Sequence, residues 1–186
     1  MSDFANKTFN GRVYTFPHLA PMRLAVDLEI GHPPEPKQPI SIPVKITFGC
    51  HCFTESFDSG KHGDHHRYTH LGEERAFDLE RYDCSLQLPQ VMNAMLNGTI
   101  YKGDKSYTYV AQIALPPETG NQPYSVFFSL NKTRDSAAPA VDLYVKSAYL
   151  SALKKSPHTQ SWRFKGLVGD TAKVFPPSPE KKKKKR

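Results

Sequence analysis

The chain reads as an α+β domain: mainly antiparallel sheet ending in a three-strand meander, one or two short helices, and a disordered basic tail. Three observations predict this. The second half alternates apolar and polar residues with the period of two that a half-buried strand requires. Residues 89–97 (PQVMNAMLN) interrupt with apolar residues at helical spacing. The end, KKKKKR at 181–186, is too charged to join a core.

Taken in order, residues 1–20 read as a loosely held arm, 21–174 as the domain and 175–186 as a Pro/Lys-rich tail. Met22–Ile30 has strand character. Residues 31–39 (GHPPEPKQP) hold four prolines and read as an exposed connector. Val44–Phe53 alternates, which puts Cys50 and Cys52 on the apolar face and points His51 away from it. Residues 54–72 are polar, His-rich and punctuated by glycine, so a mobile loop is expected. EERAFDLERYDCSLQLP follows, extended in part. Pro89 suits a first helical turn, and Asn97-Gly98 ends the helix.

Three strands then share one pattern. Ser106–Leu115 places Tyr107, Tyr109, Ala111, Ile113 and Leu115 on one face. Tyr124–Asn131 groups Tyr124, Val126, Phe128 and Leu130. Val141–Leu150 groups Val141, Leu143, Val145, Ser147 and Tyr149. Short turn-rich links between them predict the meander. Trp162–Val174 reads as a strand or a helix.

The length of 186 residues fits one domain with tails. The net charge of +7 is a property of the tail. Residues 181–186 hold six positive charges, and the rest carries 19 basic against 18 acidic side chains, or +1. An odd count of 3 Cys and no N-terminal apolar run point to free thiols in a reducing compartment, the cytoplasm. No stretch approaches the ~20 apolar residues of a membrane span. Phosphate-binding, dinucleotide and serine-hydrolase loops and the HExxH motif are absent, and no cofactor is expected.

Three chemistries remain. Cys50, His51, Cys52, His62, His65, His66, His70 and Cys84 are zinc-type ligands at poor spacing; buried thiols beside a wet loop are the favoured reading, with no metal site assigned. Metal-free RNA cleavage needs a base for the ribose 2′-hydroxyl, an acid for the leaving oxygen, and cations on the phosphate. His51 is the expected base or acid. Arg75, Arg81 and Lys146 are the expected phosphate clamps, and Tyr82 or Tyr149 a proton donor or stacker. Arg75 and Arg81 also have Glu73, Glu74, Asp78 and Glu80 close by in sequence as ordinary ion-pair partners. Nucleic-acid binding needs only charge and stacking. Lys181, Lys182, Lys183, Lys184, Lys185 and Arg186 are the candidate contacts with RNA or another polyanion.

Several segments carry a resemblance. Cys50, His51, Phe53 and Thr54 fit a CHxFT strand. Arg75, Phe77, Arg81, Tyr82, Ser85, Leu88 and Pro89 fit an RxF…RYxxSxxLP block, and Val145, Ser147, Ala148 and Tyr149 a VxSAY strand. Together they resemble a small uncharacterised bacterial family, some of whose members are labelled for growth adaptation in stationary phase. A helix followed by an antiparallel meander is also similar, at the level of fold, to the barnase, colicin and RelE types of ribonuclease toxin. The resulting expectation is an RNA-directed protein, a metal-independent endoribonuclease of growth control or phage conflict. The alternatives are a non-catalytic nucleic-acid- or ribosome-binding module using the tail, and a metal-binding adaptor.

Overall fold

The computed structural model describes residues 3–31, 36–102, 106–114, 121–134, 136–153 and 158–175. The tail expected at 175–186 lies outside them except for Phe175. The strands are β1 (Lys7–Phe9), β2 (Arg12–Tyr14), β3 (Met22–Ile30), β4 (Gln38–His51), β5 (Thr54–Ser56), β6 (Arg67–His70), β7 (Glu73–Phe77), β8 (Thr99–Lys102), β9 (Tyr107–Ala114), β10 (Asn121–Lys132), β11 (Val141–Leu150) and β12 (Ser161–Arg163). The helices are α1 (Leu79–Ser85), α2 (Leu88–Met95) and α3 (Phe164–Ala172).

This corrects the expected fold class. Of the described residues, 50% are strand and 19% helix, and the main body is one curled, mixed seven-stranded sheet. Its order is β12-β8-β9-β10-β11-β4-β3. β9, β10 and β11 pair in succession, but as the middle of this larger sheet. The sheet is mixed because β11 lies parallel to β4, with Val141 opposite Val44 and Leu143 opposite Ile46. A parallel neighbour needs a long crossover. Here it includes the small sheet β5-β7-β6, α1, α2 and the hairpins of β8–β10.

One row of apolar side chains runs across the sheet. Val26 faces Ile42, Val44 and Ile46 face Val141 and Leu143, and Leu130 faces Leu143. All are buried, and helix α3 packs over β3, β4, β10 and β11. In β11 the alternation breaks at Lys146, which is an extra residue against the step from Phe127 to Phe128 in β10. A bulge of this kind reverses which face later residues present. Val141, Leu143 and Val145 are buried before it and Ala148 after it, so Ser147 and Tyr149 leave the core row.

Two further expectations change. The segment 54–72 is built into β5, a 3-10 turn at Asp64–His66 and β6, with His62 buried. His62 Nδ1 accepts from the amide of Asp58 at 3.0 Å, so its Nε2–H donates to Glu55 at 2.8 Å. The N-terminal residues contribute Phe9, Tyr14, Phe16 and Leu19 to the core. Phe16 meets Phe53 at a ring separation of 4.1 Å, and Phe4, Tyr68 and Tyr82 surround the pair.

His18 ties this segment to α1. The hydroxyl of Ser85 donates to the carbonyl of Tyr82 at 2.7 Å, which leaves its oxygen to accept from His18 Nε2 at 2.8 Å. Burial pushes the imidazole down to about 4 from 6.5. The unfolded chain therefore binds a proton more readily than the folded one as pH falls from 6.5 to about 4, and stability is lost across that window. His18→Gln should flatten the pH dependence of the urea midpoint between these values while keeping a donor for Ser85.

Candidate functional site

The site forms where β4 ends. A tight turn follows, with the amide of Cys52 donating to Gly49 O and that of Phe53 to Cys50 O, both at 3.1 Å. Thr54 then starts β5, and its hydroxyl donates to Cys50 O at 2.8 Å. Pairing of β5 with β7 sets Ser56 opposite Arg75, and pairing of β6 with β7 sets His70 opposite Glu73. The β6–β7 turn is Leu71-Gly72, both at positive φ (50° and 81°), the geometry of a two-residue hairpin. Parallel pairing of β4 with β11 puts Ser147 opposite His51. Gly49 has a local reason: a side chain there would collide with the Tyr144 hydroxyl, which crosses β4 at this point.

His51 Nε2 lies 3.0 Å from both carboxylate oxygens of Glu73. Arg75 donates to the same carboxylate at 3.0 Å. These contacts, the histidine first, hold Glu73 below its usual range and outweigh its partial burial. Glu73 is thus an ionised acceptor, and in neutral His51 the proton sits on Nε2. Nδ1 then carries the lone pair, and among the described residues it makes no hydrogen bond. The Cys50 thiol is raised, mainly by burial and then by the Glu73 charge. It is therefore a protonated, weakly nucleophilic neighbour rather than an activated thiolate.

A cavity of about 260 Å³ opens beside this pair. His51, Glu73 and Cys50 line one part of it, and His70, Phe4 and Tyr144 are also in its wall. Among the described residues, no lysine or arginine lines it. One ligand atom each from Cys50, His51 and Glu73 lies within 4.8 Å of the others, so among the described residues these three form a group with the spacing to hold a metal ion.

The sequence-derived candidates are drawn together but not into one role. Arg75 is only 8% exposed. It spends its guanidinium on Glu73 and on the side chain and carbonyl of Thr54. Arg81 donates to Thr54 O at 2.9 Å and His51 O at 3.4 Å, and lies 4.8 Å over the Tyr149 ring. Tyr149 in turn stacks on Phe127 at 5.1 Å. Both arginines and Tyr149 therefore brace the strand end that carries His51. Tyr82 is elsewhere: its hydroxyl donates to Thr15 O at 3.1 Å and its ring packs on Tyr14 and Phe16. Lys146 is half-buried at the bulge. Residues 181–186 lie outside the described residues. Glu73 as His51's partner and His70 as a second imidazole of the cavity were not singled out from sequence. The Leu-Gly turn between two extended runs was the signal that brings them beside β4.

A bracing role for Arg81 has a measurable signature. Arg81→Ala should lower unfolding free energy by about 1–3 kcal/mol, from charged hydrogen bonds and the ring contact. Arg81→Lys should recover only part of it, because an ammonium lacks the planar fork. A phosphate clamp would instead lose function with stability unchanged, which urea unfolding distinguishes.

The YjaZ family model matches residues 6–172. The chain belongs to the YjaZ family. The matched span takes in β1 through α3 and every residue of the cavity except Asp3 and Phe4. Cys50, His51, Thr54, Arg75, Arg81 and Tyr149, on which the family resemblance partly rested, fall inside it and meet at the end of β4. No curated protein and no solved structure matches the chain. The likeness to ribonuclease toxins therefore receives no support from these comparisons. Among the described residues, no helix is long and apolar enough to cross a membrane.

Proposed function

We propose that this YjaZ-family chain acts on RNA as a metal-independent endoribonuclease, with His51 as base and His70 as acid. The observation that carries the reading is a cavity walled by His51 and His70, the first held by a carboxylate with its second nitrogen unengaged among the described residues. In the proposed step, His51 Nδ1 takes the ribose 2′-hydroxyl proton and the 2′ oxygen attacks the adjacent phosphorus. The bond to the 5′ oxygen breaks, and that oxygen takes a proton from His70. The products are a 2′,3′-cyclic phosphate and a 5′-hydroxyl. The cavity, at about 260 Å³, is below the ~300 Å³ at which whole-ligand pockets begin, which suits one unit of a polymer better than a cofactor. Arg75 and Arg81 leave the mechanism, because both are committed inside the fold. Cationic contact with the phosphates falls to residues 181–186.

The test uses the full chain, labelled RNA and excess chelator. Cleavage with cyclic-phosphate ends, lost in His51→Ala and in His70→Ala, supports the reading. Absence of cleavage by the unaltered chain contradicts it. One observation favours a second reading, tail-driven binding without catalysis: among the described residues, no lysine or arginine is in the cavity wall. That reading predicts salt-sensitive RNA binding and no cyclic-phosphate product.

A further inference from the structure

We infer that Cys50, His51 and Glu73 form a binding site for a zinc-class divalent ion, and that filling it takes His51 out of proton transfer. The regulatory half rests on the function proposed above; the metal site does not. Three features carry the inference. The donor atoms are one sulfur, one imidazole nitrogen and one carboxylate oxygen, all within 4.8 Å of one another. This is the mixed set that zinc accepts, and three protein ligands with an open fourth position describe its non-structural sites. The open position is present, because all three residues line the same cavity.

The surroundings are also those of a metal site. Arg75 donates to Glu73 Oε1 at 3.0 Å, which orients the carboxylate toward His51. Thr54 donates to the Cys50 carbonyl at 2.8 Å and fixes the backbone behind the sulfur. The three residues come from β4 and β7, held in place through β5, so the donors rest on paired strands. Three histidines of the 54–72 segment are differently employed. His62 is bonded to Asp58 and Glu55, and His65 and His66 pack on Phe9. Binding breaks the Cys50 S–H bond and forms a sulfur–metal bond, and the proton passes to solvent. His51 then gives a nitrogen to the metal and no longer serves as the base. Zinc would thus be an inhibitor of this cleavage.

The experiment titrates untagged full-length apoprotein with Co²⁺, whose thiolate bond gives a near-ultraviolet charge-transfer band. One equivalent per chain is expected. The band should disappear in Cys50→Ser and in Glu73→Gln, and persist in His65→Gln/His66→Gln. Circular dichroism of each variant establishes that it is folded, and Glu73→Gln on the half-exposed carboxylate serves as the second probe if Cys50→Ser unfolds. No band in the unaltered chain, or a band that survives either ligand substitution, overturns the site. If the band forms but saturating Zn²⁺ leaves cleavage unchanged, the inhibitory role is overturned. If no cleavage exists at all, the band still decides the metal site, and only the RNA reading and the regulation resting on it fall.

Discussion

Replacing His51 by Ala should lower RNA cleavage by about 10²–10⁴-fold, the usual contribution of one positioned proton-transfer group. The fold should barely respond. The side chain is 36% exposed and its partner Glu73 is 50% exposed, so both are hydrated when the pair is broken. Exposed ion pairs contribute about 0–1 kcal/mol. Glu73→Gln should cause a smaller loss, and one of a particular kind. Glutamine retains an acceptor for Nε2–H but not the charge that steadies the imidazolium formed in the step. Turnover should fall while the concentration for half-maximal rate stays put, because Glu73 acts through His51. If His51→Ala and Glu73→Gln both cleave like the unaltered chain, the dyad is structural. The assay is single-turnover cleavage in chelator, read alongside urea unfolding of each variant.

Phe16→Ala should cost about 3–5 kcal/mol of unfolding free energy, the range for deleting a buried aromatic side chain. Phe16 is 1% exposed and lies 4.1 Å from the Phe53 ring, which is itself fully buried. Phe4, Tyr68 and Tyr82 close the cluster from other elements. Little can collapse into the space left behind, because Tyr68 is held by the paired strand β6 and Tyr82 by α1. Phe53 is also two residues from His51, so loosening this cluster should disturb the turn that presents the imidazole. A loosely held arm would lose almost nothing on the same substitution. Chemical denaturation separates the two outcomes directly.

Much of the secondary structure was legible from local period. The apolar rows of β9 and β10 are where the alternation of Tyr107–Ile113 and Tyr124–Leu130 puts them. Helix α2 follows from Pro89 and the apolar face of Val91, Met92 and Met95. Other parts were hidden for identifiable reasons. The parallel pairing of β11 with β4 joins segments far apart in the chain, and no local pattern encodes a partner. The bulge at Lys146 adds one residue without disturbing the alternation in the letters, so period alone places Ser147 and Tyr149 on the wrong face. Helix α1 is short and contains Tyr82 and Asp83, weak helix formers. Its start was nonetheless marked by Asp78, whose carboxylate accepts from the Arg81 amide at 2.9 Å.

At the site, residue types were easier to read than roles. His51, Arg75, Arg81 and Tyr149 do gather at one strand end. Burial converts the arginines from phosphate clamps to braces, and burial is a tertiary property. Glu73 and His70 were visible as residues, but their approach to His51 depends on a hairpin folding back beside β4. The polybasic end dominates the charge of the chain and lies outside the described residues. Its charge bears on affinity for polyanions, and the cavity bears on chemistry.

The most direct test of the central claim is an NMR titration of the isotope-labelled full chain with a short RNA whose 2′-hydroxyl is removed at one position. Amide and imidazole shifts are expected to concentrate at Thr47–His51, His70–Glu73 and Tyr144, in the lining of the cavity. Shifts confined to residues 181–186, with the His51 and His70 signals unmoved at saturation, would contradict it.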